Sequence, residues 1–402
     1  MPRASSRERL LAAIDGARGA PAPCSFMIFR ALREQCRDEY DFALRQVEMG
    51  LDARVQLDDL PIRLGPEVEV EERAERSGGG PPLLHRVYRT GAGELHGVVK
   101  RTSDWPYGER VPLFDDYITP RSAQHPVTGP EHLDAVRALL APPTDDDIAA
   151  FREEAAARKA FAKDRGLLLT GGWKSRRVVP GEDRALVGEN GGTGTVVDAL
   201  MWLCGGTEPL LWAYDDPEFL AALIAVIEEW NGGRVEVHLD VGVDLLVRRA
   251  WYEGTDFWSP RLYRRFILPG LKREVEMAHQ AGARYGYIIT SGLLPIAELL
   301  LEAGVDVIIG LDPGEGKGTT LAEVREVFGR RAAVWGGVSG PLVVEEGGED
   351  DVRRAVEEAL SALAPTGRFI LSPVDNVRSD TKQAWHNVQV FIETWRSLTG
   401  ES

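Results

Sequence analysis

Apolar residues recur along the chain at two alternating periods, and the alternation predicts the architecture. Leu10, Leu11 and Ile14 repeat at helical spacing over residues 6–15 behind a serine start, and the apolar run Cys24-Ser-Phe-Met-Ile-Phe-Arg30 that follows reads as a short buried strand. Residues 38–49 are helical again, and Ala53-Arg-Val-Gln-Leu57 is a second strand ending in Asp58-Asp59. From residue 65 to 102 the period drops to two, with Val68 and Val70, then Leu84 to Tyr88, then Leu95 to Val99, broken by Gly78-Gly-Gly-Pro-Pro82 and Gly91-Ala-Gly93. This predicts antiparallel hairpins inserted in an α/β chain. The stretch 105–143, rich in Pro, Asp and Gly, should drape over a surface.

Beyond residue 144 the helix and strand alternation persists. Helices are expected over 145–164, 217–237, 260–281, 295–303, 320–328 and 349–363, each preceding a strand, at 166–170, 243–247, 285–290, 305–309, 332–335 and 368–372. With the two early strands this makes eight parallel strands, which point to an α/β fold of the (β/α)8 TIM barrel type rather than an open doubly wound sheet. An open nucleotide-binding sheet would carry GxGxxG after its first strand, and none stands there. Gly188-Glu-Asn-Gly-Gly-Thr-Gly194 matches neither that fingerprint nor the GxxxxGK[ST] loop, and reads as a loop near the barrel mouth. The expected organisation is one barrel domain over 1–402 with an insertion at about 65–143.

Composition narrows the function classes. Against 47 basic residues stand 63 acidic ones, a formal charge of -16, which disfavours nucleic acid and anionic membranes as partners. Cys24, Cys36 and Cys204 are too few and too scattered for a disulfide framework or a CxxC knuckle, which fits a reducing, cytoplasmic setting. Charges in the first ten residues exclude the apolar core of a signal peptide, and no run approaches the roughly 18 apolar residues of a membrane span. None of the seven histidines forms an HxxxH or HxC pair, so no zinc site is expected.

In a barrel the chemistry sits at the C-terminal strand ends. Read in order, these offer Arg30 and Arg33; Asp58 and Asp59; Trp173, Lys174 and Arg176; Asp244, Arg248, Trp251, Tyr252 and Glu253; Thr290 and Ser291; Asp312; Trp335; and Asp375 and Asn376. Arginine beside carboxylates can hold a substrate carboxylate while an aspartate handles a proton. Trp173, Trp251 and Trp335 would wall a flat substrate. The same residue types also serve as structural ion pairs and core packing.

Several stretches together resemble the uroporphyrinogen decarboxylase superfamily, which includes corrinoid-dependent methyltransferases. They are Gly242-Val-Asp-Leu245, Trp251-Tyr-Glu-Gly-Thr-Asp-Phe-Trp-Ser-Pro-Arg-Leu-Tyr263, Phe266-Ile-Leu-Pro-Gly-Leu-Lys272, Glu302-Ala-Gly-Val-Asp306, Trp335-Gly-Gly-Val338 and Phe369-Ile-Leu-Ser-Pro373. The resemblance implies a barrel with its cleft at the strand ends, and often a homodimer. Arg30 and Arg33 stand where the decarboxylase branch has its arginines and Asp58 or Asp59 where it has its aspartate. Its tyrosine and late histidine positions look like Leu186 and Asp375. Where the thiol-activating methyltransferases carry His-x-Cys and a later Cys, this chain has Ile289-Thr290-Ser291 and Asp375.

The stretches Val87-Tyr-Arg-Thr-Gly-Ala-Gly-Glu-Leu95 and His125-Pro-Val-Thr-Gly-Pro-Glu-His-Leu133 resemble the methyltransferase-like and demethylase-like members. That favours methyl transfer from a small methylated donor to a corrinoid (cobalamin) carried by a partner protein. Asp59, Asp312 or Asp375 would be the catalytic acid, and Arg30, Arg33, Trp173, Asp244, Trp251, Tyr252, Ser291, Trp335 and Asn376 would contact substrate. The alternatives are metal-free decarboxylation of a carboxylated ring, with Arg30 and Arg33 as clamps and Asp59 stabilising a protonated intermediate, and a non-catalytic ligand-binding barrel. A metal held by Asp312 and Asp375 also stays open.

Overall fold

Short strands, mostly apolar and buried at nearly every position, form a parallel sheet covered on both faces. The computed structural model describes residues 4–76, 78–173, 193–314, 319–374 and 376–401. Its main sheet has seven strands: β1 (Arg54–Gln56), β2 (Leu168–Gly172), β3 (Leu245–Arg249), β4 (Arg284–Ile288), β5 (Val307–Leu311), β6 (Ala333–Ser339) and β7 (Phe369–Val374). Each pairs in parallel with its neighbour in sequence, from β1 to β7. Helices pack between successive strands, and the curled sheet fits a TIM-like barrel.

The strand expected at Cys24-Ser-Phe-Met-Ile-Phe-Arg30 is a single parallel bridge from Cys24 to Leu371. The Ser25 amide donates to Leu371 O at 3.0 Å, and the Asp52 amide donates to Cys24 O at 2.7 Å, so the segment links the β7 edge to the chain just before β1. It cannot lengthen into a ladder because barrel side chains take its backbone groups. The Trp335 indole donates to Ser25 O at 2.8 Å and the Arg54 guanidinium to Met27 O at 2.7 Å.

The period-two region forms an antiparallel sheet of four strands, Glu69–Glu75, Leu83–Thr90, Gly93–Lys100 and Ser122–Gln124. Its outermost strand is exposed throughout, whereas Leu84, Tyr88, Leu95 and Val99 are buried. Arg63–Leu64 pairs with Leu140–Ala141 at the base of the insertion.

The helix Ser6–Asp15 starts with a capping box between Ser5 and Glu8. Its Leu10, Ala13 and Ile14 pack on Leu168, Leu245, Val307, Ala333 and Ile370 inside the sheet. The N-terminal end of the barrel is thereby filled, which leaves the C-terminal strand ends for a site. Among the described residues no helix is long and apolar enough to cross a membrane.

Candidate functional site

At the C-terminal strand ends lies a pocket lined by Met27, Ile28, Trp251, Ile288, Thr290, Ile309, Gly310, Trp335, Ser372, Pro373 and Val374. Its walls are apolar apart from two hydroxyls. Gly310 adopts φ +98° where the pairing register of β5 and β6 shifts, a backbone bend that favours glycine. Trp335 is fully buried, and Trp173 stands edge-on to Trp251 with ring centroids 5.3 Å apart.

Beside the Trp251 ring sits a cluster of charges. Arg249, the last residue of β3, is 1% exposed, and its amide donates to Gly194 O at 2.8 Å. Its guanidinium lies 4.2 Å over the Trp251 ring and 5.1 Å from Trp202. One side pairs with Asp198, and the other donates to Asp116 at 2.6 Å. Asp116 also accepts from the Tyr252 hydroxyl at 3.1 Å and the Trp202 indole at 3.2 Å. Asp198 is completely buried, and its second oxygen has no hydrogen-bond partner among the described residues.

Burial pushes the Asp198 carboxyl up to about 7 against the pull of Arg249, and the charges of Asp116 and Glu253 push the same way. Burial also raises the Tyr252 phenol, aided by Asp116, so it remains a hydrogen-bond donor. Burial lowers Arg249, but Asp198 and Asp116 outweigh it and the guanidinium stays charged. A permanent cation next to a carboxyl that titrates near neutrality makes the charge beside this ring pH-dependent.

Sequence reasoning named neither Arg249, Asp116 nor Asp198. The signal was present for one of them: Val196–Cys204 is a wholly buried helix, and Asp198 is its only charged residue. Aspartate is almost never fully buried unless paired.

The structure gathers only part of the expected constellation. Trp251, Trp335 and Thr290 line the pocket, Trp173 backs it, and Tyr252 joins the Arg249 cluster. Asp59 is nearly buried elsewhere, accepting from the Thr193 amide at 2.5 Å, the Thr193 hydroxyl at 2.6 Å and Arg234 at 3.1 Å. Burial pushes it up, but Arg234, His238 and Thr193 prevail and hold it at about 2. At neutral pH it is ionised and has no proton to give.

Arg30 opens the short helix Arg30–Arg33, is largely exposed and pairs with Glu34 at 2.7 Å; its amide donates to Asn376 Oδ1 at 3.1 Å. Arg33 pairs with Glu39 and lies 4.9 Å over Phe42. Asp58 pairs with Arg158 at 2.6 Å. Arg248 meets Glu253 and Glu274, both at 2.6 Å, which ties β3 to the helix Leu268–Gln280. Asp312 is buried after β5, and its Oδ1 accepts from the Gly314 amide at 2.7 Å. Asp375, Lys174, Arg176 and Leu186 lie outside the described residues.

Asp244 is a correction. Strand β3 runs from Leu245 to Arg249, so Asp244 stands just before its first residue, at the opposite end of the barrel from the pocket; the expected bounds 243–247 already put it near that end. There it accepts from Arg7 at 2.7 Å and from the Leu169 amide at 3.0 Å, fastening the N-terminal helix. Asp244→Asn should therefore cost about 1 kcal/mol of stability, since Arg7 is half exposed, and leave ligand affinity at the pocket unchanged. Urea unfolding together with a binding titration checks both halves.

Among the described residues no three His, Cys, Asp or Glu side chains stand together as metal ligands. At the position where the zinc ligands of thiol-activating members would fall, Thr290 lines the pocket and the Ser291 hydroxyl donates to Asp256 at 2.5 Å. Neutral hydroxyls do not fit a site that needs imidazole and thiolate.

Comparison with known proteins places this geometry. A solved methyltransferase from Methanosarcina mazei superposes with a TM-score of 0.58 at 16% identity, covering 98% of this chain and 99% of that one. A 3-keto-D-glucoside 4-epimerase from E. coli gives a TM-score of 0.33 at 14% identity, covering 62% and 85%. No curated protein matches. The family model of uroporphyrinogen decarboxylase (URO-D) matches residues 182–398, more than half of the chain; this span holds the quoted stretches from Gly242 to Pro373, whereas 87–95 and 125–133 lie before it. The chain belongs to the uroporphyrinogen decarboxylase family.

Proposed function

We propose that this protein transfers a methyl group from a small methylated donor, bound at the C-terminal strand ends beside Trp251 and Trp335, to a corrinoid presented by a partner protein. The observation that carries the reading is the Arg249 guanidinium 4.2 Å from the centre of the Trp251 ring. Methyl transfer leaves an electron pair on the donor's heteroatom, and a fixed cation close to a low-dielectric pocket stabilises that developing charge. Reduced corrinoid, when bound, supplies the nucleophile that accepts the methyl group.

The chain's own residues do the rest. Met27, Ile28, Ile288 and Ile309 exclude water, and the indoles offer flat apolar faces to a ring. The Thr290 hydroxyl can orient a heteroatom, whereas that of Ser372 is spent on the Pro373 carbonyl. Asp198 sets the net charge beside the Trp251 ring: protonated, it leaves Arg249 balanced by Asp116 alone, whereas ionised it adds a negative charge that opposes the departing electron pair. Asp312 and Asp375 remain the proposed proton sources for the leaving heteroatom.

The test is anaerobic incubation with methoxylated and N-methylated aromatic compounds and cob(I)alamin, following the corrinoid spectrum. Methylcobalamin is the expected product. Loss of carbon dioxide from a carboxylated ring without corrinoid would overturn the reading in favour of decarboxylation. Tight ligand binding with no turnover on any compound would overturn it in favour of a non-catalytic barrel.

A further inference from the structure

Charged side chains taken out of water are paired in folded proteins, because an isolated buried ion forfeits its hydration with nothing in return. The deeply buried arginines of this chain obey that rule. Arg86 lies 3.2 Å from Glu72, Arg158 2.6 Å from Asp58, Arg234 3.1 Å from Asp59, and Arg248 2.6 Å from both Glu253 and Glu274, while Arg249 bridges Asp198 and Asp116.

Arg54 is different. It is 8% exposed on β1, and its acceptors are all neutral: the Thr170 hydroxyl at 3.0 Å, the Gln56 side-chain oxygen, and Met27 O at 2.7 Å. Its Nε has no hydrogen-bond partner among the described residues, and none of their carboxylates lies within ion-pairing distance. Glu39 reaches it only as a more distant charge and is already engaged by Arg33 and the Gln56 amide.

A second orphan donor belongs to a residue that Gln56 also holds. Trp173 is 2% exposed, and its indole N–H is buried with no partner among the described residues. Gln56 connects the two, since its oxygen accepts from Arg54 and its amide nitrogen donates to the Trp173 carbonyl. Both residues also touch the pocket wall: Arg54 holds the backbone of Met27, and the Trp173 ring abuts Trp251.

We infer that Arg54 and the Trp173 indole N–H form an anion-binding subsite beneath the pocket, and that its occupant is a carboxylate carried by the small donor. A carboxylate supplies what both groups lack, oxygen acceptors for two N–H donors and one negative charge for an unpaired guanidinium. Burial lowers Arg54 to about 10, so it is charged throughout the neutral range. The inference rests on the donor-pocket reading above but not on the chemistry that follows binding. It moves the anchor for an anionic group from Arg30, which is spent on Glu34 at the surface, to the barrel interior.

Binding of a matched pair, 4-methoxybenzoate and methoxybenzene, to the full chain by calorimetry tests it without turnover. The expected result is a preference for methoxybenzoate of at least about tenfold, lost in Arg54→Gln with methoxybenzene affinity unchanged. Trp173→Phe, which keeps the ring and removes the N–H, should weaken methoxybenzoate alone by a few-fold. Equal affinity for the two compounds in wild type, or a preference that survives Arg54→Gln, overturns the subsite, as does failure of the folded protein to bind methoxybenzoate at all. If Arg54→Gln does not fold, Trp173→Phe decides by the same criterion. Arg54-dependent binding with no methylcobalamin from any donor would uphold the subsite and sink the methyl-transfer reading, so the two failures are separable.

Discussion

Asp198→Asn is expected to reverse its stability relative to wild type across the neutral range. The native carboxyl is pushed by burial to about 7, against a value near 4 in the unfolded chain. Between those values the native state binds the extra proton, so stability falls as pH rises, by about 1.4 kcal/mol per unit, and levels off above the folded value. Wild type should therefore lose about 3 kcal/mol between pH 5 and pH 8 from this group, and the amide variant, which has no proton to lose, should not. Urea unfolding of both proteins at the two pH values measures the difference. The same variant separates charge control from proton delivery. Asparagine preserves the neutral state of the side chain, so methyl transfer should persist above pH 7 where wild-type turnover declines. Turnover that disappears at every pH would make Asp198 a proton donor instead.

How much of this was legible in the sequence depends on the kind of signal involved. The periodic runs from residue 145 onward mark strands and helices correctly because parallel strands buried on both faces are apolar at nearly every position, and the helices between them begin at recognisable caps such as Thr144, Asp216, Ser259 and Thr320. The segment from Cys24 was misread because its apolar residues are buried without a ladder; the deciding hydrogen bonds come from Trp335 and Arg54, hundreds and tens of residues away. Asp244 lies at the start of its strand on the expected bounds 243–247 as on the observed ones; a carboxylate flanking a strand looks the same in sequence at either end, and only the ion pair with Arg7 shows that it serves the N-terminal face. Periodicity finds which residues are inside but not which polar groups converge. Asp116 comes from a loop, Asp198 from a helix and Arg249 from a strand, and no local spacing connects them. Arg54 reads in the sequence as one of two polar positions in the strand pattern Ala53-Arg-Val-Gln-Leu57, and its burial without a counter-ion is visible only once the barrel is assembled.

Asp59→Ala should be the most destabilising single change at the strand ends, at about 3–5 kcal/mol. Its removal would leave the Arg234 guanidinium, which has no exposed surface, with only the carbonyl oxygens of Leu60 and Pro61, and would deprive the amide and hydroxyl of Thr193 of their acceptor. Arg234 belongs to the long helix Pro217–Asp240 and Thr193 to the segment leading into Val196–Cys204, so one carboxylate fastens both elements to the end of β1. The pH dependence has the opposite sign to that of Asp198. A carboxyl held at about 2 contributes stability that is present above the unfolded value near 4 and is lost as pH falls through 2. Wild type and variant should thus differ most at neutral pH and converge on acidification, which denaturant unfolding between pH 6 and pH 2 would show. Because the group is ionised at neutral pH, Asp59→Asn in its folded fraction should keep methyl transfer within about tenfold of wild type, short of the loss expected on removing a general acid. An Asp59→Asn protein with wild-type stability but no turnover would return Asp59 to the chemistry, as the carboxylate that stabilises a cationic intermediate, and would favour decarboxylation over methyl transfer.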